Sequence, residues 1–422
     1  MSRKSVRICR INRRVYDQDA ALAKLRSRPP PLQSADTSPG VPADGVRRWN
    51  VPLADVRVDA EVLAAVQEAV ASGWWSMGPR VAEFEAQFAT HCGAEHALAV
   101  ANGTAALHLA VLALGCEAGD EVVLPSLNFV AAANAVAVTG ATPVFCDITD
   151  ETDLNLSPED LEAAITPATK AVIVLHYGGN PCRMDAVLEL AEGHGVAVIE
   201  DAAHAPGATW RGRHCGTLGR IGCFSFFSNK NLPTGEGGAL LTDDEELVET
   251  IRLLRSHGMT SLTWDRQRGH AHAYDVVTSG FNYRLDEIRA AIALVELGRL
   301  ETENAARRAL AERYRKRLDG VGGLVVPFSA PPDDVVSSQH LAVVVLPEGT
   351  SRPEVRAALA NDGIQTSVHY PPIHTFTRYA GSTQRRLPVT DAIAERLLTL
   401  PLFGHMTEEQ NDLVAERLLA AL

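Results

Sequence analysis

Two residues in the segment Val196–Gly238 have types and surroundings suited to chemistry. The segment reads VAVIEDAAHAPGATWRGRHCGTLGRIGCFSFFSNKNLPTGEGG. Two apolar runs in it, VAVIEDA and CFSFF, have the composition of buried strands. Asp201 closes the first run. Lys230 follows the second, in a loop rich in Gly and Pro. Each residue alone has a commoner role: a strand-end carboxylate caps a turn, and a loop lysine is solvated. As a pair they have the two groups a pyridoxal phosphate (PLP) site requires. The lysine forms a Schiff base, and the carboxylate keeps the pyridine nitrogen protonated so that the ring accepts electrons.

Two further stretches supply the rest of such a site. Asn102-Gly103-Thr104-Ala105-Ala106-Leu107 follows a short apolar run and opens the helical pattern AALHLAVLALG. The free N–H groups and positive dipole end of a helix N-terminus bind phosphate, and Gly103 permits close backbone approach. An ordinary strand-to-helix turn would look the same. Pro125-Ser126-Leu127-Asn128-Phe129 follows the next apolar run, and Phe129 at a strand end can stack on a flat ring or fill a core. Ser225, five residues before Lys230, can reach a phosphate if its strand feeds the site.

The elements that must position these residues alternate along the chain. The apolar runs are ALAVAN, EVVLPS, TPVFCDI, AVIVLHY, VAVIEDA, CFSFF and GALLT, mostly separated by helical patterns of ten or more residues. This alternation predicts an α/β fold: a mostly parallel seven-stranded sheet with helices on both faces. Before the sheet, a helix starts at Asp59 with Val62, Leu63, Val66 and Val70 on one face and Gly73 as its stop. The loop SGWWSMGPR and a second helix, VAEFEAQFATHCG, follow. Ser157-Pro158-Glu159-Asp160 opens another helix, with a serine cap and proline in its first turn. A long helical stretch from Leu285 to Leu318 leads to a smaller α+β region. There HLAVVVLP and IQTSVHYP read as strands, and SRPEVRAALAND and TDAIAERLLTL as helices. The expected division is a basic, mostly disordered extension over 1–48, a large domain over 49–295 and a small C-terminal domain over 296–422.

Composition narrows the class. The chain has 422 residues, 46% of them hydrophobic, enough for a large core, and a net charge of −13. The acidic balance argues against a nucleic-acid partner. The charge is uneven: residues 1–48 hold eleven Lys/Arg against four Asp/Glu, a net +7. No apolar run reaches membrane-span length, and the basic start lacks the apolar core of a secretory signal. Seven cysteines without a CxxC pair suit reduced thiols. A cytoplasmic location is the expectation. His270 and His272, without a carboxylate cluster beside them, make a weak metal motif, so no metal is expected.

The order of these stretches resembles the DegT-type sugar-nucleotide aminotransferases, fold type I PLP enzymes. The resemblance is carried by SGWWSMGPRVAEFE, ANGTAALHLA, PSLNFVAAANAV, GATPVFCDI, EDAAHAPGA, FSFFSNKNLPTGEGGAL, RSHG, GFNYRLDEIRAAI and VHYPPIH. It implies that Lys230 carries PLP and moves the proton, and that Asp201 pairs with the ring nitrogen. It implies that Phe129 stacks on the ring and His204 lies near the ring hydroxyl. Gly103, Thr104, Ala105 and Ser225 would hold the phosphate, with Asn282 reaching it from a second subunit of a homodimer with shared sites. Trp75, Arg284, His369 and Tyr370 would contact the substrate, a nucleotide-linked keto-sugar, with glutamate as amino donor. Asn128 departs from the threonine common at its position. One branch of the family replaces the lysine by histidine and dehydrates its substrate. Lys230 therefore favours transamination over a dehydratase, and over a non-catalytic regulator of the same fold.

Overall fold

The computed structural model describes residues 49–261, 264, 273–381 and 385–422. The basic extension over 1–48 and the pair His270 and His272 lie outside the described residues. The seven apolar runs form strands β1 His96–Val100, β2 Glu121–Pro125, β3 Thr142–Cys146, β4 Thr169–Leu175, β5 Ala197–Asp201, β6 Ile221–Ser225 and β7 Gly238–Thr242. They make one sheet in the order β1-β7-β6-β5-β4-β2-β3. Only β7 runs antiparallel to its neighbours. All the other carboxyl ends therefore emerge on one edge, where open α/β sheets place their ligands.

The helices are α1 Ala60–Ala71, α2 Pro79–Cys92, α3 Gly103–Ala113, α4 Ala131–Thr139, α5 Pro158–Ala164, α6 Met184–His194, α7 Glu245–Arg255, α8 Glu287–Leu318, α9 Arg352–Asn361, α10 Pro388–Ala394 and α11 Glu408–Ala420. Alternation along β4 builds the core on both faces of the sheet. Val172 and Val174 meet Phe84 and Phe88 of α2 and Val187 of α6. Ala171 and Ile173 meet Leu107, Leu109 and Val111 of α3 and Val136 of α4. No helix among the described residues is long and apolar enough to cross a membrane.

Helix α8, 32 residues and so about 48 Å long, joins this body to a smaller one. Its first half contributes Ala290, Ala293 and Leu300 to the sheet core. Its second half contributes Leu310, Tyr314 and Leu318 to a separate cluster with α9, α11 and Val51. The small sheet pairs β8, Ala342–Val345, with β9, Leu397–Leu400. This corrects the helical reading of TDAIAERLLTL: α10 ends at Ala394, and LLTL is a strand whose four residues are buried. A four-residue apolar run has no period of its own, and pairing with β8 decides it. IQTSVHYP makes only isolated bridges, Ile364 to Val51 and Ser367 to Thr399.

Helix α1 forms as expected, with Asp59 accepting from the N–H groups of Glu61 and Val62. Its expected apolar face is not fully covered. Val62 is buried, but Leu63 is 60% and Val70 43% exposed. The helix is tied to α8 by charge, Arg299 reaching Asp59 at 3.0 Å and Glu61 at 3.3 Å. Beside them Glu296 is only 6% exposed, and burial pushes its carboxyl up to about 7 against the pull of Arg299. The folded form thus binds a proton that the unfolded chain releases near pH 4.5. Stability from this group is full below that pH and is lost as pH rises through 7. Glu296→Gln is expected to stabilise the protein by on the order of 1–3 kcal/mol at pH 8 and to change little at pH 4.5. Urea unfolding at both pH values checks this, and an equal effect at both would refute it.

Candidate active site

The carboxyl ends of β1, β2, β5 and β6 surround a cavity of ≈420 Å³. Asp201 ends β5 in this cavity and is 5% exposed. Burial raises its carboxyl above the usual range. The Ala203 N–H at 3.2 Å, the charge of Lys230, the Asn128 amide and His176 all pull the other way. Lys230 keeps some surface open, as a residue lining a cavity does. Its ammonium nonetheless lies deep, and burial pushes it down to about 8, opposed by Asp201. Each group thus meets an opposite charge where solvation is poor.

A buried network holds the end of β5 in place. Glu200 accepts the N–H groups of Leu218 (2.7 Å), Gly219 (2.6 Å) and Gly216 (2.7 Å) and faces His176 Nε2 at 2.9 Å. His176 Nδ1 accepts the Cys182 N–H at 3.1 Å, so Nε2 carries the hydrogen. With Cys215 these two residues form the one His, Cys and carboxylate cluster at metal-ligand spacing among the described residues. The imidazole has no free lone pair left, so the cluster serves as structure rather than as a metal site.

Helix α3 opens its N-terminus to the cavity. Asn102 caps it by accepting the Ala105 N–H at 2.8 Å. The N–H groups of Gly103 and Thr104, which no preceding turn can satisfy, belong to residues lining the cavity. A Cβ added to Gly103 would come within 2.7 Å of Ser225 Cβ, so glycine lets the helix end meet β6. On the other wall Asn128 Oδ1 accepts the Phe129 N–H at 2.6 Å, which leaves the amide nitrogen to the Asp201 carboxylate. Asn229 Oδ1 is buried without a hydrogen-bond partner. The opposite charges of Lys230 and Asp201, an open helix N-terminus and this orphaned amide oxygen fit PLP, whose phosphate, ring nitrogen and ring hydroxyl need such partners.

The third wall comes from the small body. His204 Nδ1 accepts the Gly178 N–H at 3.3 Å, so its Nε2–H donates to Tyr370 Oη at 2.8 Å. The Tyr370 hydroxyl hydrogen is then left for the cavity. Burial, then the charge of Lys230, holds His204 well below the usual imidazole range, so it is neutral. Burial and the charge of Asp201 push the Tyr370 phenol up, so it keeps its proton. His369 sits beside Thr399 Oγ1 at 3.0 Å and is pushed down to about 4 by burial and by Lys230.

Nine of the residues singled out in the sequence line this cavity: Gly103, Thr104, Phe129, Asp201, His204, Ser225, Lys230, His369 and Tyr370. Four do not. The Ala105 N–H is used by the helix cap. Trp75 is 57% exposed, its Nε1 donating to the Val70 carbonyl. Asn282 is exposed on a turn bridged to Ser256. Arg284 has a buried, unpartnered Nη1 beside Arg255. Asn102, Asn229 and Glu236 also line the cavity. All three lie inside stretches quoted from the sequence, but their own side chains were given no role there.

A family model described as the DegT/DnrJ/EryC1/StrS aminotransferase family matches residues 56–419. The spore coat polysaccharide biosynthesis protein SpsC of Bacillus subtilis (strain 168) is 42% identical over 376 residues, 87% of this chain and 95% of that protein. The aminotransferase TlmJ from Streptoalloteichus hindustanus has a similar structure, with a TM-score of 0.82 and 38% identity over 88% of this chain and 98% of its own. The PLP form of Spr1654 from Streptococcus pneumoniae gives a TM-score of 0.82 at 28% identity, covering 88% of this chain and 98% of that one.

Proposed function

The chain belongs to the DegT/DnrJ/EryC1/StrS aminotransferase family and is a PLP-dependent sugar aminotransferase, and from that premise we propose that it moves the amino group of glutamate onto the ketone of a nucleotide-linked sugar. The observation that carries the reading is the convergence of Lys230, Asp201 and the open N-terminus of α3 in one cavity. Lys230 would hold the cofactor, with Asp201 at its ring nitrogen and Phe129 against its face. Gly103, Thr104 and Ser225 would hold its phosphate. Bound PLP supplies an electron-poor ring that stabilises negative charge on the carbon losing its proton.

The remaining work falls to the chain itself. The free amine of Lys230 takes the proton from the amino donor and returns one to the acceptor. Burial favours its neutral form, holding it at about 8 in the cofactor-free site, in the direction a base requires. Neutral His204 fixes the Tyr370 hydroxyl, which can donate to a substrate oxygen in the cavity. Trp75, Asn282 and Arg284 lie off their own cavity, which supports a homodimer in which each chain completes the other's site. The unpartnered guanidinium nitrogen of Arg284 is suited to an anion held there.

Rapid-scan absorbance tests the reading. Glutamate should bleach the visible band of the bound cofactor. A uridine or thymidine diphosphate-linked keto-sugar should then restore it, with the amino-sugar identified by mass spectrometry. Bleaching only by another amino acid would replace the donor, and restoration by no nucleotide-sugar would discard the acceptor.

A further inference from the structure

We propose that Ser126, His374 and Asp391 form a latch that sets the gap between the two walls of the cavity and thereby positions the sugar acceptor. The geometry is closed at every atom. The N–H of Ile373 donates to the Ser126 carbonyl at 2.9 Å and the N–H of His374 to Ser126 Oγ at 3.2 Å. Ser126 Oγ lies 2.7 Å from His374 Nδ1, and His374 Nε2 lies 3.0 Å from Asp391 Oδ1. A carboxylate only accepts, so Nε2 carries the hydrogen and Nδ1 accepts from the serine hydroxyl. Ser126 is fully buried, so no water replaces its own bonds, while the His374–Asp391 bond is open to solvent on the Asp391 side.

The latch joins segments far apart in the chain. Asp391 lies in the first turn of α10. That turn is pinned to the end of β3 by Asp147, which accepts the N–H groups of Val389 (2.9 Å) and Thr390 (2.8 Å) and the Thr390 hydroxyl (2.6 Å). Ser126 follows β2. Its arm toward the site is short and stiff: the Asn128 N–H bonds to the Ser126 carbonyl at 3.0 Å, and Asn128 holds the Phe129 N–H. The arm from His374 to Tyr370 runs through Pro371-Pro372, whose backbone φ is fixed by their rings. Closing the latch therefore sets the distance between the rings of Phe129 and Tyr370, 5.7 Å apart. Asp201 is anchored at the end of β5 and Lys230 in the loop after β6. Ser126, His374 and Asp391 touch neither, so they are positioning residues.

The inference rests on the cavity being the aminotransferase site, and its test separates the two. In the holoenzyme, His374→Leu should speed amide exchange across residues 369–376 at least about tenfold while leaving β5 protected. With glutamate and a thymidine diphosphate-linked keto-deoxyglucose, KM for the sugar should rise at least about tenfold. The glutamate half-reaction and PLP affinity should stay within about threefold. His374→Asn, whose amide oxygen can still accept from Ser126, should recover most of the sugar KM. Ser126→Ala, a near-isosteric change, should reproduce the leucine variant if that one folds poorly. Unchanged exchange in both disruptive variants overturns the latch, whatever the acceptor proves to be. Equal losses in both half-reactions without rescue by asparagine overturn its positioning role. Wild-type enzyme that fails to use the nucleotide-sugar counts against the proposed acceptor alone, because the exchange measurement still decides the latch.

Discussion

Lys230→Ala is expected to abolish the visible absorbance of lysine-bound cofactor and to lower turnover by at least about three orders of magnitude. It should do so without unfolding the protein. The hydrogen bond Lys230 makes from its backbone, to the Phe227 carbonyl at 2.8 Å, survives the substitution. The side chain removed is a cation whose burial disfavours its charge, as its depressed pKa shows. Asp201 loses its nearest cation, so its carboxyl should rise further, but the Ala203 N–H remains. PLP should still bind through its phosphate, because Gly103, Thr104 and Ser225 are untouched. The variant should therefore retain cofactor by mass while losing the band, and a small added amine should restore a fraction of the proton transfer. Normal turnover by the purified variant would end the assignment of Lys230. An equal loss of melting temperature and activity would make its role structural.

What the sequence made legible follows from where the physics is local. The seven strands could be read because a strand buried on both faces is a continuous apolar run, as in AVIVLHY and VAVIEDA. The site residues could be read because they sit at the ends of those runs, and a parallel sheet gathers such ends on one edge. The features that escaped depend on distant residues. Helix α2 begins at Gly78 without a side-chain cap, and Glu287 of α8 serves instead, accepting the N–H groups of Arg80 and Val81 at 3.0 Å each. Leu397–Leu400 became a strand only when β8 lay beside it. Glu200, a carboxylate inside the apolar run VAVIEDA, finds its partners in three loop N–H groups and His176, which no local pattern announces. Leu63 and Val70 show the opposite limit: periodicity marks an apolar stripe but not what covers it.

A mixture of two inactive variants, Lys230→Ala and Asn282→Asp, is expected to regain activity. The argument begins with the turn that carries Asn282. It is held against the sheet: the Tyr283 N–H bonds to the Arg255 carbonyl at 3.0 Å, and the Ala101 N–H to the Tyr283 carbonyl at 2.7 Å. The second bond ties the turn to the segment just before α3, yet Asn282 is exposed and does not line its own cavity. An isologous dimer presents each turn to the partner's cavity across a twofold axis. There the amide would donate to the phosphate. Asn282→Ala would forfeit about 1.5–3 kcal/mol for a charged acceptor, or one to two decades of PLP affinity. Aspartate adds repulsion and should inactivate more fully. When the two variants exchange subunits, one of the two sites in each mixed dimer combines Lys230 of one chain with Asn282 of the other. Random exchange makes half the dimers mixed, so activity should return to about a quarter of wild type if the sites are independent. PLP should also favour the dimer, since it would bridge the subunits. If Asn282 served its own chain instead, every site in the mixture would lack one of the two residues. Demonstrated subunit exchange with no recovered activity would then place Asn282 outside the partner's site and remove the shared cavity from the proposal.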